Sequence, residues 1–385
     1  MTLPPVLSKR PTLGLSSAIL IWAAVACAAL THHPIHEAKS SARRFLSLDG
    51  TWDFQPEGAP PEAWKPVGVP SSFEEHEGPG FDGAGWYRRQ IELSEIPAGC
   101  RVLLHFQAAA TETEVWWNGE RLGAHLGAWT PFRFDITERI RSAAAAQTHE
   151  LRVRVDEKVG HYTQGFLPVI APHFGGLWQS VGLWIVPETY LDDLRLWAVG
   201  LPDQKALRLH LPVAGTPLRA TPALRVRARW FGQTDWHELE LTELNFTSNA
   251  LTAHVLVPQV RWWSPESPHL LELELTLGTE RPDQVRTRAA FRKVEAWGPQ
   301  VRLNSRPISV RGLLHWGYSP PLYAPRAGEE AWRRELEFAR QCGFNLLKFC
   351  LWVPPRRYLE LADEMGLLVW MEYPTWHAPL KRQNL

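Results

Sequence analysis

Five residues toward the end of the chain are of the types that grip polar ligands: His315, Lys348, Trp352, Glu372 and Trp376. Their spacing gives them meaning. Each stands within or just beyond a short apolar run: Ile308–Arg311 precedes His315, Asn345–Phe349 contains Lys348, and Leu367–Met371 precedes Glu372. Helical segments separate the runs. In Glu329–Cys342, Trp332, Leu336 and Ala339 share a face, and Glu329 and Glu330 sit four residues before Arg333 and Arg334. Gly343 closes that helix. Pro354 and Pro355 open a second, which carries Tyr358, Leu359, Ala362 and Met365 and ends at Gly366. Strands alternating with helices in this way require a parallel sheet. Polar residues at the C-terminal ends of such strands share one rim. There Glu372 can accept hydrogen bonds from ligand hydroxyls or hold Lys348, and the indoles of Trp352 and Trp376 offer flat stacking faces.

Other chemistries find little support. The acidic pairs are Glu74-Glu75, in a loop of a β-rich region, and Glu329-Glu330, on the outer face of a helix where charge is solvated. Neither is placed for two-carboxylate catalysis. Cys27, Cys100, Cys342 and Cys350 fit no zinc spacing and no disulfide framework. The segment after the third apolar run, Tyr373-Pro374-Thr375-Trp376-His377, offers a lone His and no metal ligand set. No metal or other cofactor is expected. Lys plus Arg and Asp plus Glu each total 41 with no long run of either sign, so no basic stripe exists for nucleic acid. The 20 Trp among 385 residues suit a protein that packs indoles against sugar C–H faces, although most must serve cores.

The elements that must carry the rim come earlier. Residues from about Phe45 to Pro187 alternate in short runs such as Arg101–Phe106, Glu114–Trp117 and Leu151–Val155, separated by turn signals at Asp82-Gly83 and Asn118-Gly119. They predict a jelly-roll β-sandwich over 31–188. A second set predicts an immunoglobulin-like sandwich over 189–296: Leu191–Val199, Ala206–Leu211, Leu224–Trp230, Trp236–Leu241, Leu251–Val257, Leu270–Leu277 and Gln284–Ala289. Residues 297–385 read as the start of an incomplete (β/α)8 TIM barrel, because a barrel needs eight strands and three are visible. The fold class is thus multidomain β plus α/β. At the N-terminus, Lys9 and Arg10 precede an uncharged run from Leu13 to Leu30, with Ala24-Val25-Ala26 ahead of Cys27. Residues 1–30 read as an export signal, with a lipid anchor on Cys27 and an uncleaved membrane anchor as alternatives.

An ordered set of motifs resembles family 2 of the glycoside hydrolases, the β-galactosidase, β-glucuronidase and β-mannosidase group. Leu48-Asp49-Gly50-Thr51-Trp52-Asp53-Phe54 and Gly85-Trp86-Tyr87-Arg88-Arg89 resemble strands of its sugar-binding sandwich. Val115–Thr137 is similar to the family signature, and Gly175-Gly176-Leu177-Trp178 to the closing turn. Trp263-Ser264-Pro265-Glu266 and Arg311-Gly312-Leu313-Leu314-His315 resemble the end of the immunoglobulin-like domain and the approach to the barrel. The resemblance implies a retaining hydrolase of β-linked sugars, working with two carboxyl groups about 5 Å apart. It places both on later barrel strands, the first in an Asn-Glu pair, and no Asn-Glu occurs here. The 385-residue chain is therefore expected to be inactive alone, with no catalytic residue of its own. The resemblance also implies that His315 and Lys348, often Arg in the family, line the sugar pocket. A non-catalytic carbohydrate-binding protein and an inactive remnant are the competing readings.

Overall fold

The computed structural model describes residues 43–93, 96–142, 148–157, 173–218, 220–247 and 249–372. The expected export signal with Cys27, and Trp376, lie outside the described residues.

Two antiparallel sheets form the first unit. One runs, strand by strand, Lys65–Val69, Gly50–Pro56, Ala84–Glu92, Thr148–Asp156, Glu112–Trp117, Glu120–Leu126. The other runs Arg44–Ser47, Val181–Pro187, Cys100–Phe106, Phe132–Asp135. Alternate residues of facing strands, among them Trp52, Phe54, Tyr87, Val102, Leu104, Val115, Trp117 and Val153, fill one core. Asn118-Gly119 makes the hairpin turn with φ of 49° and 82°, the conformation this pair favours. Asp135 accepts a hydrogen bond from the Thr137 amide at 3.0 Å and so caps the short helix Thr137–Ser142.

The second unit is also a sandwich. Ala206–Gly215 pairs with Thr189–Leu191, Trp197–Leu201 and Ala250–Leu256, and Leu241–Thr247 forms the edge beside Ala250–Leu256. Opposite lie His237–Glu238, Leu224–Trp230, Leu271–Leu277 and Asp283–Ala289. Two expectations change here. Leu191–Val199 is not one strand: a turn interrupts it, in which the Asp192 carbonyl accepts from the amides of Arg195 at 3.1 Å and Leu196 at 3.0 Å. The strand Leu241–Thr247 was not expected, because an edge strand with mostly exposed or half-exposed residues lacks a strong apolar alternation.

A small antiparallel sheet, Val294–Trp297, Gln300–Leu303 and Arg306–Pro307, leads into three parallel strands, Gly312–His315, Leu346–Phe349 and Leu368–Met371. The helices Glu329–Gln341 and Arg356–Glu364 connect them. The first parallel strand lies later than Ile308–Arg311. The Asn345 side chain accepts from the Arg311 amide at 2.8 Å and donates to the Ser309 carbonyl at 2.9 Å, so that segment is bound by a side chain and regular pairing begins at Gly312. Gly343 and Gly366 end the helices at φ of 83° and 72°.

The parallel unit does not pack alone. Trp332, Leu336, Phe349, Trp352, Tyr358 and Leu361 share a core with Ala108, Ala110, Ala128, Trp129, Phe174 and Trp178 of the first sandwich. The second sandwich holds it by polar contacts: Trp263 Nε1 donates to the Asp363 carbonyl at 2.9 Å, and Arg288 and Arg292 pair with Glu364 and Asp363. Glu329 meets Arg357 at 2.7 Å and Arg333 at 2.8 Å, so it bridges the two helices rather than standing on a solvated face. Only Glu330, paired with Arg334, is in the open. Likewise Glu74 and Glu75 lie on a helical turn, Phe73–His76, and Glu75 pairs with Arg326 across the junction.

The sandwiches are joined by a buried ionic clamp. Arg43 meets both oxygens of Asp283 at 2.7 Å and Asp193 at 2.8 Å. Arg133 forks onto Asp193 at 2.7 and 2.9 Å, and its Nε donates to His105 Nδ1 at 3.0 Å. Removing one member strands its partners in a desolvated site, so Asp283→Ala should cost about 3–5 kcal/mol, read by denaturant unfolding. The His105 imidazole must stay neutral to accept from Arg133: burial, then the Arg133 charge, push its pKa down to about 3. Its folded pKa is thus below the unfolded value near 6.5, so its contribution is complete above pH ~6.5 and is lost as pH falls toward 3. Melting temperature should drop across that window, and His105→Gln should flatten the drop.

Candidate functional site

The three parallel strands sort their side chains by alternation. Leu313, Leu347 and Val369 form one register row, and His315, Phe349 and Met371 another. Leu347 and Phe349 are buried against the helices, so both rows face the helical layer. The row between them, Leu314, Lys348 and Trp370, faces the other way. Leu314 is 49% and Trp370 59% exposed, so this inner face is open to solvent among the described residues.

Lys348 and Glu372 come together as expected. Their charged groups lie 2.6 Å apart, at the strand ends on the open face. The Lys348 ammonium also sits over the Trp370 ring, 5.8 Å from its centroid. Each partner favours the charged form of the other: the ion pair holds the Glu372 carboxyl below its ordinary range and raises Lys348. Cys350 also stands near Glu372, and its thiol is pushed up to about 11 by burial first and the carboxylate second.

His315 and Trp352 are placed differently. The His315 ring lies 5.1 Å from Trp352 and 5.8 Å from Tyr358. Its Nδ1 accepts from the Gly317 amide at 2.9 Å, which leaves Nε2 to donate to Glu335 on the first helix. Tyr358 donates to the same carboxylate at 3.1 Å. His315 is thus braced from the helical side at the top of its strand rather than aimed across the open face beside Lys348. Trp352 is 1% exposed, with its Nε1 donating to the His315 carbonyl at 3.1 Å and its ring 6.4 Å from Trp129 of the first sandwich. It offers no open face for stacking: it supports the rim from below. Trp370 is the aromatic residue that the sequence reading passed over. Strict alternation from Lys348 through the parallel register would have put it on the same face.

What this arrangement can do is bind. A cation, a carboxylate and an exposed indole on one strand-end rim can hydrogen-bond and stack a polyhydroxylated ligand. Apart from Glu372, no second carboxylate joins the rim among the described residues.

Comparison with known proteins gives this geometry a context. Residues 28–156 match the family model "Glycosyl hydrolases family 2, sugar binding domain". Over 302 residues, 76% of this chain, the sequence is 25% identical to a β-galactosidase of Thermoanaerobacter pseudethanolicus, of which it covers 39%. Over 329 residues, 81% of this chain, it is 24% identical to a putative β-glucuronidase of Formosa agariphila, of which it covers 38%. The chain thus spans about two fifths of the length of these relatives. In three dimensions it shares its fold with a β-glucuronidase of Bifidobacterium dentium solved with coumarin-3-O-glucuronide. The TM-score is 0.72 at 21% identity, with 87% of this chain and 61% of that one covered. The N-terminal portion of the chain is therefore related to glycoside hydrolase family 2, as its motifs indicate, and its relatives are β-glycosidases.

The placements of Trp352 and Lys348 separate support from binding. Trp352→Ala should cost about 3–5 kcal/mol of stability by chemical denaturation, the penalty for emptying a buried Trp site. Lys348→Gln should leave the unfolding midpoint close to that of the unaltered protein, because exposed ion pairs contribute little.

Proposed function

We propose that this chain is the sugar-binding and barrel-opening portion of an exported family 2 glycosidase. In the complete protein the enzyme hydrolyses O-glycosidic bonds of β-linked sugars by the retaining, two-carboxylate route. The observation that carries this reading is the sequence similarity to β-galactosidases and β-glucuronidases, which runs through the sandwiches and beyond them over about four fifths of the chain. The open apolar side of the parallel sheet supports it: Leu314 and Trp370 are covered once further strands close a barrel.

The division of labour follows from the geometry. The sandwiches fix the first strands by the shared aromatic core and the polar contacts described above. Lys348, held by Glu372, presents a cation to substrate hydroxyls or a carboxylate. As Lys rather than Arg it gives a point charge without a bidentate fork. His315 sets the height of the rim, and Trp370 supplies a face for the sugar ring. The acid/base and nucleophile are contributed from outside these 385 residues.

The test has two arms. The purified chain should release no nitrophenol from nitrophenyl β-galactoside, β-glucuronide or β-mannoside above the buffer rate, and clear turnover would overturn this assignment. A longer polypeptide that also includes residues encoded after Leu385 should hydrolyse at least one of them. Lys348→Gln in that longer protein should then raise KM or lower kcat/KM by tenfold or more, in line with a lost charge-assisted hydrogen bond.

A further inference from the structure

Away from the barrel rim, the first sandwich buries acidic groups that, among the described residues, lack the bases that elsewhere accompany them. Glu157 ends the strand Thr148–Asp156, and Glu74 lies on the turn Phe73–His76. Glu74 is 5% and Glu157 6% exposed. Neither oxygen of either carboxyl has a hydrogen-bond partner of normal geometry among the described residues. The charged groups nearest Glu157 among the described residues are Glu74, Asp82 and Asp156, all acidic. Elsewhere in this protein buried carboxylates such as Asp193, Asp283 and Glu274 are met by arginines.

A ligand set converges on the same spot. Asp82, Glu157 and His173 each direct one donor atom into a region where all three atoms lie within 4.8 Å of one another. His173 Nδ1 and Asp82 Oδ1 are 3.8 Å apart, too far for a hydrogen bond and near the spacing of two ligands on one ion. The other imidazole nitrogen, Nε2, is buried and without a partner among the described residues. The backbone is shaped to bring the chain in close: a Cβ on Gly175 would lie 2.7 Å from that of Glu157 and 2.5 Å from the Phe73 ring.

We infer that Asp82, Glu157 and His173 bind one divalent cation, with the Glu74 carboxylate behind Glu157. An imidazole with carboxylates suits Zn2+ or Mn2+ better than Ca2+ or Mg2+, which take oxygen ligands. The ion supplies the positive charge that no arginine or lysine among the described residues brings to these carboxyls.

The full chain, treated with EDTA and dialysed, is titrated at pH 7.5 with ZnCl2, MnCl2 or CaCl2 by calorimetry, and its melting temperature is followed in parallel. One site per chain for Zn2+ or Mn2+ and a raised melting temperature are expected. Asp82→Asn alters only an exposed side chain and should fold normally in EDTA, yet lose at least tenfold in affinity. Glu157→Gln replaces the unpartnered buried carboxyl by an amide of the same size; in EDTA it should melt at or above the unaltered protein, and the metal should not raise it further. No saturable binding of any of the three ions would overturn the site. So would binding that Asp82→Asn and Glu157→Gln both leave unchanged, since the ion would then sit elsewhere.

Discussion

The contact between Trp352 and Trp129, itself packed on Trp178, positions the ends of the parallel strands. The three indoles, with Phe174 and Phe349, meet edge to face at centroid distances of 5.3–6.4 Å. Packing of this kind is intolerant of small displacements, because interiors are filled to crystal-like density. Trp352 and Phe349 belong to the second parallel strand and the turn after it, while Trp129, Phe174 and Trp178 belong to the first sandwich. The height and tilt of the strand ends are therefore set by a domain that supplies none of the rim's polar groups. His315 inherits its position from the same cluster, since its carbonyl accepts from Trp352 and its ring lies against it.

The joints between units use a different physics. The clamp of Arg43, Arg133, Asp193 and Asp283 is buried, and desolvating four charges consumes most of what their attraction returns. Its value is geometric. Bidentate guanidinium–carboxylate pairs have one good arrangement, so they fix the relative rotation of the sandwiches more sharply than apolar contact would. Single guanidinium–carboxylate contacts from Arg288 to Glu364 and from Arg292 to Asp363 tie the second sandwich to the parallel unit. Aromatic packing sets distance, and charged forks set orientation.

Much of this was legible in the sequence, for identifiable reasons. Strands with one buried face show their alternation, and Asp283–Ala289 and Leu224–Trp230 emerge almost as read. Helix ends marked by Gly343 and Gly366 do too. What escaped was decided at a distance. The edge strand Leu241–Thr247 has no buried face to impose a pattern. The break at Asp192–Leu196 coincides with the point where Asp193 turns inward to meet Arg43 and Arg133, partners 150 and 60 residues away. Glu329 looked solvated because its second arginine, Arg357, comes from the next helix.

The candidate rim shows the same division. Lys348 and Glu372 were legible together because both follow from strand ends and opposite charge. The roles of His315 and Trp352 were not, since a residue at a strand end faces either the barrel interior or its helices, and a one-residue shift in the strand start exchanges the two. Moving the first strand from Ile308–Arg311 to Gly312–His315 includes His315 in the ladder itself, paired with Phe349, which fixes it on the helical side. The inner face then falls to Leu314, Lys348 and Trp370. An exposed Trp flanked by Leu and a paired Lys is costly to leave in water and well suited to being covered. In the proposed function a sugar ring and further barrel strands would both cover this surface, so binding and barrel closure would make the same demand on these three residues.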